Sequence, residues 1–172
     1  MFQIRQETAP DNRTIRQIHE RAFGQSAEAD LVDRLRLSCP DQISLVAVAG
    51  DQVIGHILFT PAIIEYTDES KVIGMGLAPL AVLPEFQGQG AGSALIQAGL
   101  DQLRELKQAY VIVLGQPDYY SRFGFEPAYR YQISCEFTGD NREAFMIHLL
   151  NYQGIQAKEG IAHYHSEFSA FA

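Results

Sequence analysis

The stretch Leu80–Lys107 constrains the fold most. LAVLPEF, QGQGAG and SALIQAGLDQLRELK read as the end of an apolar strand, a glycine loop over Gln87–Gly92, and a helix beginning in or just after the glycines. The first N–H groups of a helix have no intrahelical acceptor, the helix dipole adds partial positive charge, and glycine lets an anion approach the backbone closely. The junction is therefore a candidate phosphate site. Two common phosphate loops fail against these residues. A P-loop needs Gly-Lys-Ser/Thr, and no Gly-Lys pair occurs in the chain. A dinucleotide fingerprint read from Gly88 or Gly90 needs its third glycine at Ser93 or Leu95 and should follow the first strand of a βαβ unit.

The segments around this junction alternate between two periods. Phe2–Arg5 alternates like a first strand, and Thr8-Ala9-Pro10-Asp11 has capping-box form ahead of a helix with Ile15, Ile18, Ala22 and Phe23 on one face up to Gly24. Ser26 is placed to cap a second helix with Leu31, Val32 and Leu35 as its buried stripe, ending before Pro40. SLVAVA, Gly50-Asp51 and QVIGHILFT then read as an antiparallel hairpin, with a bend at Pro61. A fourth strand over roughly Lys71–Val82 carries Gly74, Gly76 and Pro79, which weaken ladder pairing, so it should be splayed near its end.

After the glycine loop, Leu95, Ile96, Leu100, Leu103 and Leu106 form a wide apolar helical face. Tyr110–Leu114 is apolar throughout, as a central strand covered on both faces should be. Pro117–Arg122 fits one short helix before Gly124, and Tyr129–Phe137, Ala144–Leu150 and HYHSEF near the end read as further strands. The fold class is α+β: a mixed, mostly antiparallel sheet of six or seven strands with helices on both faces, in one domain spanning 1–172.

The chain has 172 residues and a formal charge of −8, with no run of lysines or arginines, which argues against nucleic acid and acidic membranes as partners. MFQIRQETAPDNR lacks the apolar core of a signal peptide, and no stretch of about 18 apolar residues occurs, so a cytoplasmic protein is expected. Cys39 and Cys135 are far apart with no CxxC spacing and read as buried structural residues. His163 and His165 alternate on a strand face without a third ligand nearby, and no metal is expected.

Gln87, Gly90 and Gly92 match Gln/Arg-x-x-Gly-x-Gly/Ala, and Tyr120-Ser121-Arg122-Phe123-Gly124-Phe125 matches Tyr-x-Arg/Lys-x-Gly-Phe. With the element order above, the chain resembles the GNAT superfamily of acetyl-CoA-dependent N-acetyltransferases over nearly its whole length. GHILFTP at 55–61 and PLAVLPEFQGQGAG at 79–92 are similar to its YhbS-like subgroup of predicted bacterial acetyltransferases.

The resemblance implies acetyl-CoA as cosubstrate and an amine, small-molecule or protein, as acceptor. Backbone amides of Gln87, Gly88, Gln89, Gly90, Ala91, Gly92 and Ser93 would cradle the pyrophosphate, and the strand edge at Leu80, Ala81 and Val82 would meet the pantetheine amides. Tyr120 matches the proton donor to the departing thiolate, with Tyr119 as its rival, and a phenol of pKa about 10 suits a thiolate of similar basicity. Neither cysteine matches an acyl-enzyme position, so direct attack by the amine is expected. Aligning the glycine loops puts Gly76 where some members carry a glutamate base. Glu65, Glu85 and His56 are substitutes near the expected cleft, and no spacing rule selects among them. Arg122 and Lys107 are candidates for the 3′-phosphate. A homodimer through the C-terminal third is plausible by resemblance, and an acyl-CoA sensor that has lost chemistry, or a transferase for longer acyl groups, are the rival readings.

Overall fold

The computed structural model describes residues 1–151 and 154–171. The described chain divides into two compact units, the first comprising 1–60, 78–101 and 167–171, the second 61–77, 102–151 and 154–166. Among the described residues there are nine strands in a mostly antiparallel sheet, more than the six or seven expected because the C-terminal third contributes short pieces rather than long ones.

In the first unit, β1 (Gln3–Gln6), β2 (Ile43–Ala49) and the first part of β3 (Gln52–Tyr66) pair antiparallel, with Gln3 opposite Val48 and Val46 opposite His56. The capping box forms as the sequence predicts, Thr8 N–H donating to the Asp11 carboxylate at 2.7 Å, but it caps a 3-10 turn at Ala9–Asp11. Helix α1 (Asn12–Phe23) follows and ends at Gly24, whose φ of 70° suits glycine. Its buried face is Ile15, Ile18 and His19, whereas Phe23 is 42% exposed and stacks on the His19 ring. Helix α2 (Ala27–Ser38) buries Leu31, Val32 and Leu35, and Ser26 makes no side-chain cap bond.

Strand β3 is buried on both faces from Ile54 to Thr60, and helices on opposite sides explain it. His56 faces α1, where it meets His19. Gly55 and Phe59 face the helix α3 (Ala91–Glu105): a Cβ on Gly55 would come 3.2 Å from Leu95, and one on Gly99 would come 2.3 Å from the Phe59 ring. Pro61 does not interrupt β3. Leu106 lies past the helix end, where Lys107 takes φ 59°, and is 54% exposed rather than part of the apolar face.

In the second unit, the far end of β3, from Ile63 to Tyr66, pairs β9 (Gly160–His163), which pairs β7 (Ile133–Cys135) in parallel. Strand β4 (Lys71–Val82) pairs β5 (Tyr110–Leu114) in parallel at Met75↔Val111 and Gly76↔Ile112, and the register ends there. On its other edge β5 pairs β8 (Phe145–Leu149), which pairs β6 (Glu126–Pro127). Residues 128–131 form a 3-10 turn instead of strand, and of HYHSEF only His163 belongs to a strand. Helix α4 (Pro117–Tyr120) runs into a 3-10 turn at Ser121–Phe123, closed by Gly124 at φ 90°. Cys39 and Cys135 are free and buried. No described helix is long and apolar enough to cross a membrane.

Candidate active site

The end of β4 leads into the glycine loop through a chain of local bonds, all within the first unit. Leu83 N–H donates to the Ile54 carbonyl at 2.9 Å, a 3-10 turn covers Pro84–Phe86, and the Gln87 amide N–H is taken by the Pro84 carbonyl at 3.3 Å. The Gln87 side chain turns back, its Nε2 donating to the Val82 carbonyl at 2.9 Å, and Gln89 Nε2 reaches the Glu85 carbonyl at 3.2 Å. Gly88 and Gly90 have φ of 75° and 95°, and apart from the adjacent residues no atom of the described residues lies within 4 Å of where their Cβ atoms would be. Left-handed backbone costs any other residue type about 1 kcal/mol or more. Ala94 N–H is the first to close a helical turn, onto Gly90, so the N–H groups of Ala91, Gly92 and Ser93 have no carbonyl of the helix to reach. The candidate cradle of amides is thus reduced to Gly88–Ser93, because the Gln87 N–H is bonded to Pro84.

The substitutes for a base are differently placed. Glu85, in the turn before the loop, is exposed and held by both guanidinium nitrogens of Arg21 at 3.0 and 2.7 Å, which lowers its pKa. His56 is fully buried. Its Nε2 lies 2.7 Å from Ser44 Oγ and its Nδ1 2.8 Å from Nε2 of His19, which is also buried. Burial first, then the Arg36 charge, pulls His19 down to about 4, and burial holds His56 well below its ordinary value. Both rings are neutral at pH 7 and enclosed. Glu65, in the second unit, is exposed on β3 opposite Ile161 and lines a cavity of about 590 Å³ with Tyr66, Tyr129 and Glu159.

The second unit carries Tyr120. Its ring packs against Gly115, where a Cβ would come 2.3 Å from Cε2, and meets Tyr119 and Phe125 edge-on at 5.1 and 5.6 Å. Burial, with Tyr119 adding to it, pushes the phenol up to about 12. Tyr119 has the guanidinium of Arg122 over its ring at 5.4 Å. The same unit shows what stands on Gly76. A Cβ there would come 2.6 Å from Cε1 of Tyr164, a buried side chain from the segment after β9.

Three residues escaped sequence reasoning. His19 sits at helical spacing from Ile15 and was legible as part of the buried stripe; Arg21 and Tyr164 find their partners, Glu85 and Gly76, at sequence separations that no local pattern reports.

The model of the acetyltransferase (GNAT) domain matches residues 3–128. The chain belongs to the GNAT acetyltransferase family. This GNAT chain is 38% identical over 169 residues to the N-acetyltransferase YhbS of Escherichia coli, covering 98% of this chain and 99% of YhbS. It is 45% identical over 119 residues to E. coli YjhQ, covering 68% and 65%. Among solved structures, E. coli YhbS in complex with CoA superposes with a TM-score of 0.87 at 36% identity, covering 99% of this chain and 93% of that one. A GNAT acetyltransferase of Brucella melitensis in complex with acetyl-CoA superposes with a TM-score of 0.75 at 34% identity, covering 98% of each. Among the described residues no group of three His, Cys, Asp or Glu side chains is arranged to hold a metal ion.

Proposed function

We propose that this GNAT protein transfers acetyl from acetyl-CoA to a primary amine, of a small molecule or a protein, by direct attack. The observation that carries the reading is the loop, with Gly88 and Gly90 in left-handed backbone, open space above both, and α3 starting at Ala91. Amides from Gly88 to Ser93 would take the pyrophosphate, and Leu80, Ala81 and Val82 would offer strand edge to the pantetheine. The YhbS and Brucella relatives that hold CoA and acetyl-CoA support the choice of ligand.

In the reaction, the amine nitrogen attacks the thioester carbonyl, the C–S bond breaks, and the departing thiolate takes a proton from Tyr120, whose burial keeps it protonated at neutral pH. The N–H proton leaves to water, since Gly76 offers no carboxylate, Glu85 is committed to Arg21 and His56 is sealed in the interior. Neither cysteine competes as nucleophile, because burial raises both thiols.

Isothermal titration with acetyl-CoA tests the reading: a dissociation constant of about 1 μM to 1 mM supports it, and the absence of heat at millimolar ligand sinks it. The glycine at 76 favours a second reading, an acyl-CoA-binding module without transfer chemistry. Tight binding with only slow hydrolysis across a broad amine and peptide screen would select that one.

A further inference from the structure

The recess at the far end of β3 has no part in the chemistry described above. It measures about 590 Å³ and lies wholly in the second unit, inside the range of about 300–1,000 Å³ that small-ligand sites occupy. Register sets its floor. Glu65 on β3 stands opposite Ile161 on β9, and Ile161 stands opposite Ser134 on β7, so the three side chains form one row across three strands. Side chains alternate along a strand, and this row projects from the face opposite to that of the buried Ile64, Tyr66 and Ala162. Thr67 N–H donates to the Glu159 carbonyl at 3.3 Å, which continues the pairing and sets Glu159 diagonal to Glu65. Such diagonal neighbours stand about 7–8 Å apart. Tyr129 walls the recess, its hydroxyl donating to Glu143 Oε1 at 2.9 Å and its ring centroid lying 4.2 Å from the Arg142 guanidinium.

The charge in this recess is one-sided. Glu65 and Glu159 are exposed, and among the described residues no lysine or arginine lines the recess. The nearby cations are engaged elsewhere: Lys158 with Asp68, Arg130 with Glu126 at 3.7 Å, and Arg142 on the Tyr129 ring. His163 also lines the recess, with its Nδ1 4.0 Å from Glu136 Oε1. Between the two free carboxylates lies Ile161, 48% exposed. Two like charges flanking an apolar side chain repel each other, and a dication with an aliphatic stem relieves that repulsion while covering the isoleucine.

We propose that the recess is a binding site for an aliphatic diammonium cation, with Glu65 and Glu159 taking the two ammonium ends and Ile161 and Tyr129 the chain between them. His163 turns to this recess, whereas the next residue, Tyr164, lies on Gly76, so the cation sits apart from the place where β4 would meet a thioester.

Isothermal titration of the protein with 1,5-diaminopentane in dilute salt, without acetyl-CoA, is the test. The expected result is a dissociation constant of about 0.1–1 mM, weakened about tenfold in Glu65→Gln/Glu159→Gln and about threefold when 1-aminopentane replaces the diamine. Glutamine keeps the length of each side chain and both positions are exposed, so the melting temperature should stay within about 2 °C of the parent. A control, Asp51→Asn/Glu105→Gln, removes two charges at exposed positions outside the recess and should bind the diamine as the parent does. Absence of heat at about 10 mM diamine overturns the proposal. Equal affinity in the parent and in Glu65→Gln/Glu159→Gln overturns it as well, since the diamine then sits elsewhere. So does equal weakening in both double variants, which is the mark of net charge alone. Because acetyl-CoA is absent from the titration, each of these failures leaves the acetyltransferase reading standing.

Discussion

Tyr164 lies on Gly76 so closely that a single methyl group at 76 would come 2.6 Å from the ring. Gly76→Ala therefore forces either the ring or β4 to move, and overpacking of this kind costs about 1–3 kcal/mol. Chemical denaturation should show that loss, and combining Gly76→Ala with Tyr164→Ala should cost less than the two single losses added together, since removing the ring relieves the clash. Strict additivity would mean the two residues do not meet.

The buried Ser44–His56–His19 chain makes stability depend on pH. His19 titrates near 4 in the folded protein against about 6.5 in an unfolded chain. Its folded pKa is depressed, so the contribution is fully present above pH 6.5 and is lost as pH falls toward 4. The difference corresponds to about 3 kcal/mol, and His56 shifts in the same direction. Urea midpoints measured from pH 7 to pH 4.5 should fall more steeply for the parent than for His19→Gln; parallel curves would refute the assignment.

Loop geometry gives an affinity prediction. Removing the Gln87 tether to Val82 in Gln87→Ala should weaken acetyl-CoA binding by about fivefold, the equivalent of about 1 kcal/mol, with little change in melting temperature because the bond is exposed. Gly90→Ala forces a Cβ into left-handed backbone at a cost of about 1–2 kcal/mol. Calorimetry on both variants checks the pair, and undiminished affinity in both would remove the loop from the binding site.

Tyr120→Phe should lower kcat by about a hundredfold or more while sparing acetyl-CoA affinity. Since the Tyr120 phenol is pushed up to about 12, it stays protonated as pH rises, and the parent rate should show no decline from this group below about pH 10. A clear alkaline limb centred near 9, absent from Tyr120→Phe, would mean that the phenol is less buried than its contacts with Gly115 and Phe125 indicate.

Much of this was legible in the sequence because the signals are local. The span of β4 from Lys71 to Val82, the helix start just after the glycines and the turn closed by Gly124 each follow from neighbours within a few residues. The C-terminal third was less legible. Its strands are two to five residues long, and β9 takes its partners from β3 and β7, up to a hundred positions away, so no periodicity develops. The same limit hid the site's special features: a candidate base at 85 gives no sign in its own segment that Arg21 claims it, and a histidine at 56 gives no sign that both ring nitrogens are engaged. Lys107 in left-handed backbone ends α3 without the glycine that would have announced it.

The Gln87 side chain turns a spelling rule into a mechanical one. The first position of the Gln/Arg-x-x-Gly-x-Gly/Ala signature gives its side chain to the strand in this arrangement: it hangs the loop from the Val82 carbonyl by a terminal N–H on a long stem. Glutamine and arginine share that donor and that reach, whereas glutamate presents an acceptor to an acceptor and methionine presents nothing. The letter tolerated at 87 is thus set by the strand behind it, and a binder built on this loop inherits its aim from the last rung of β4.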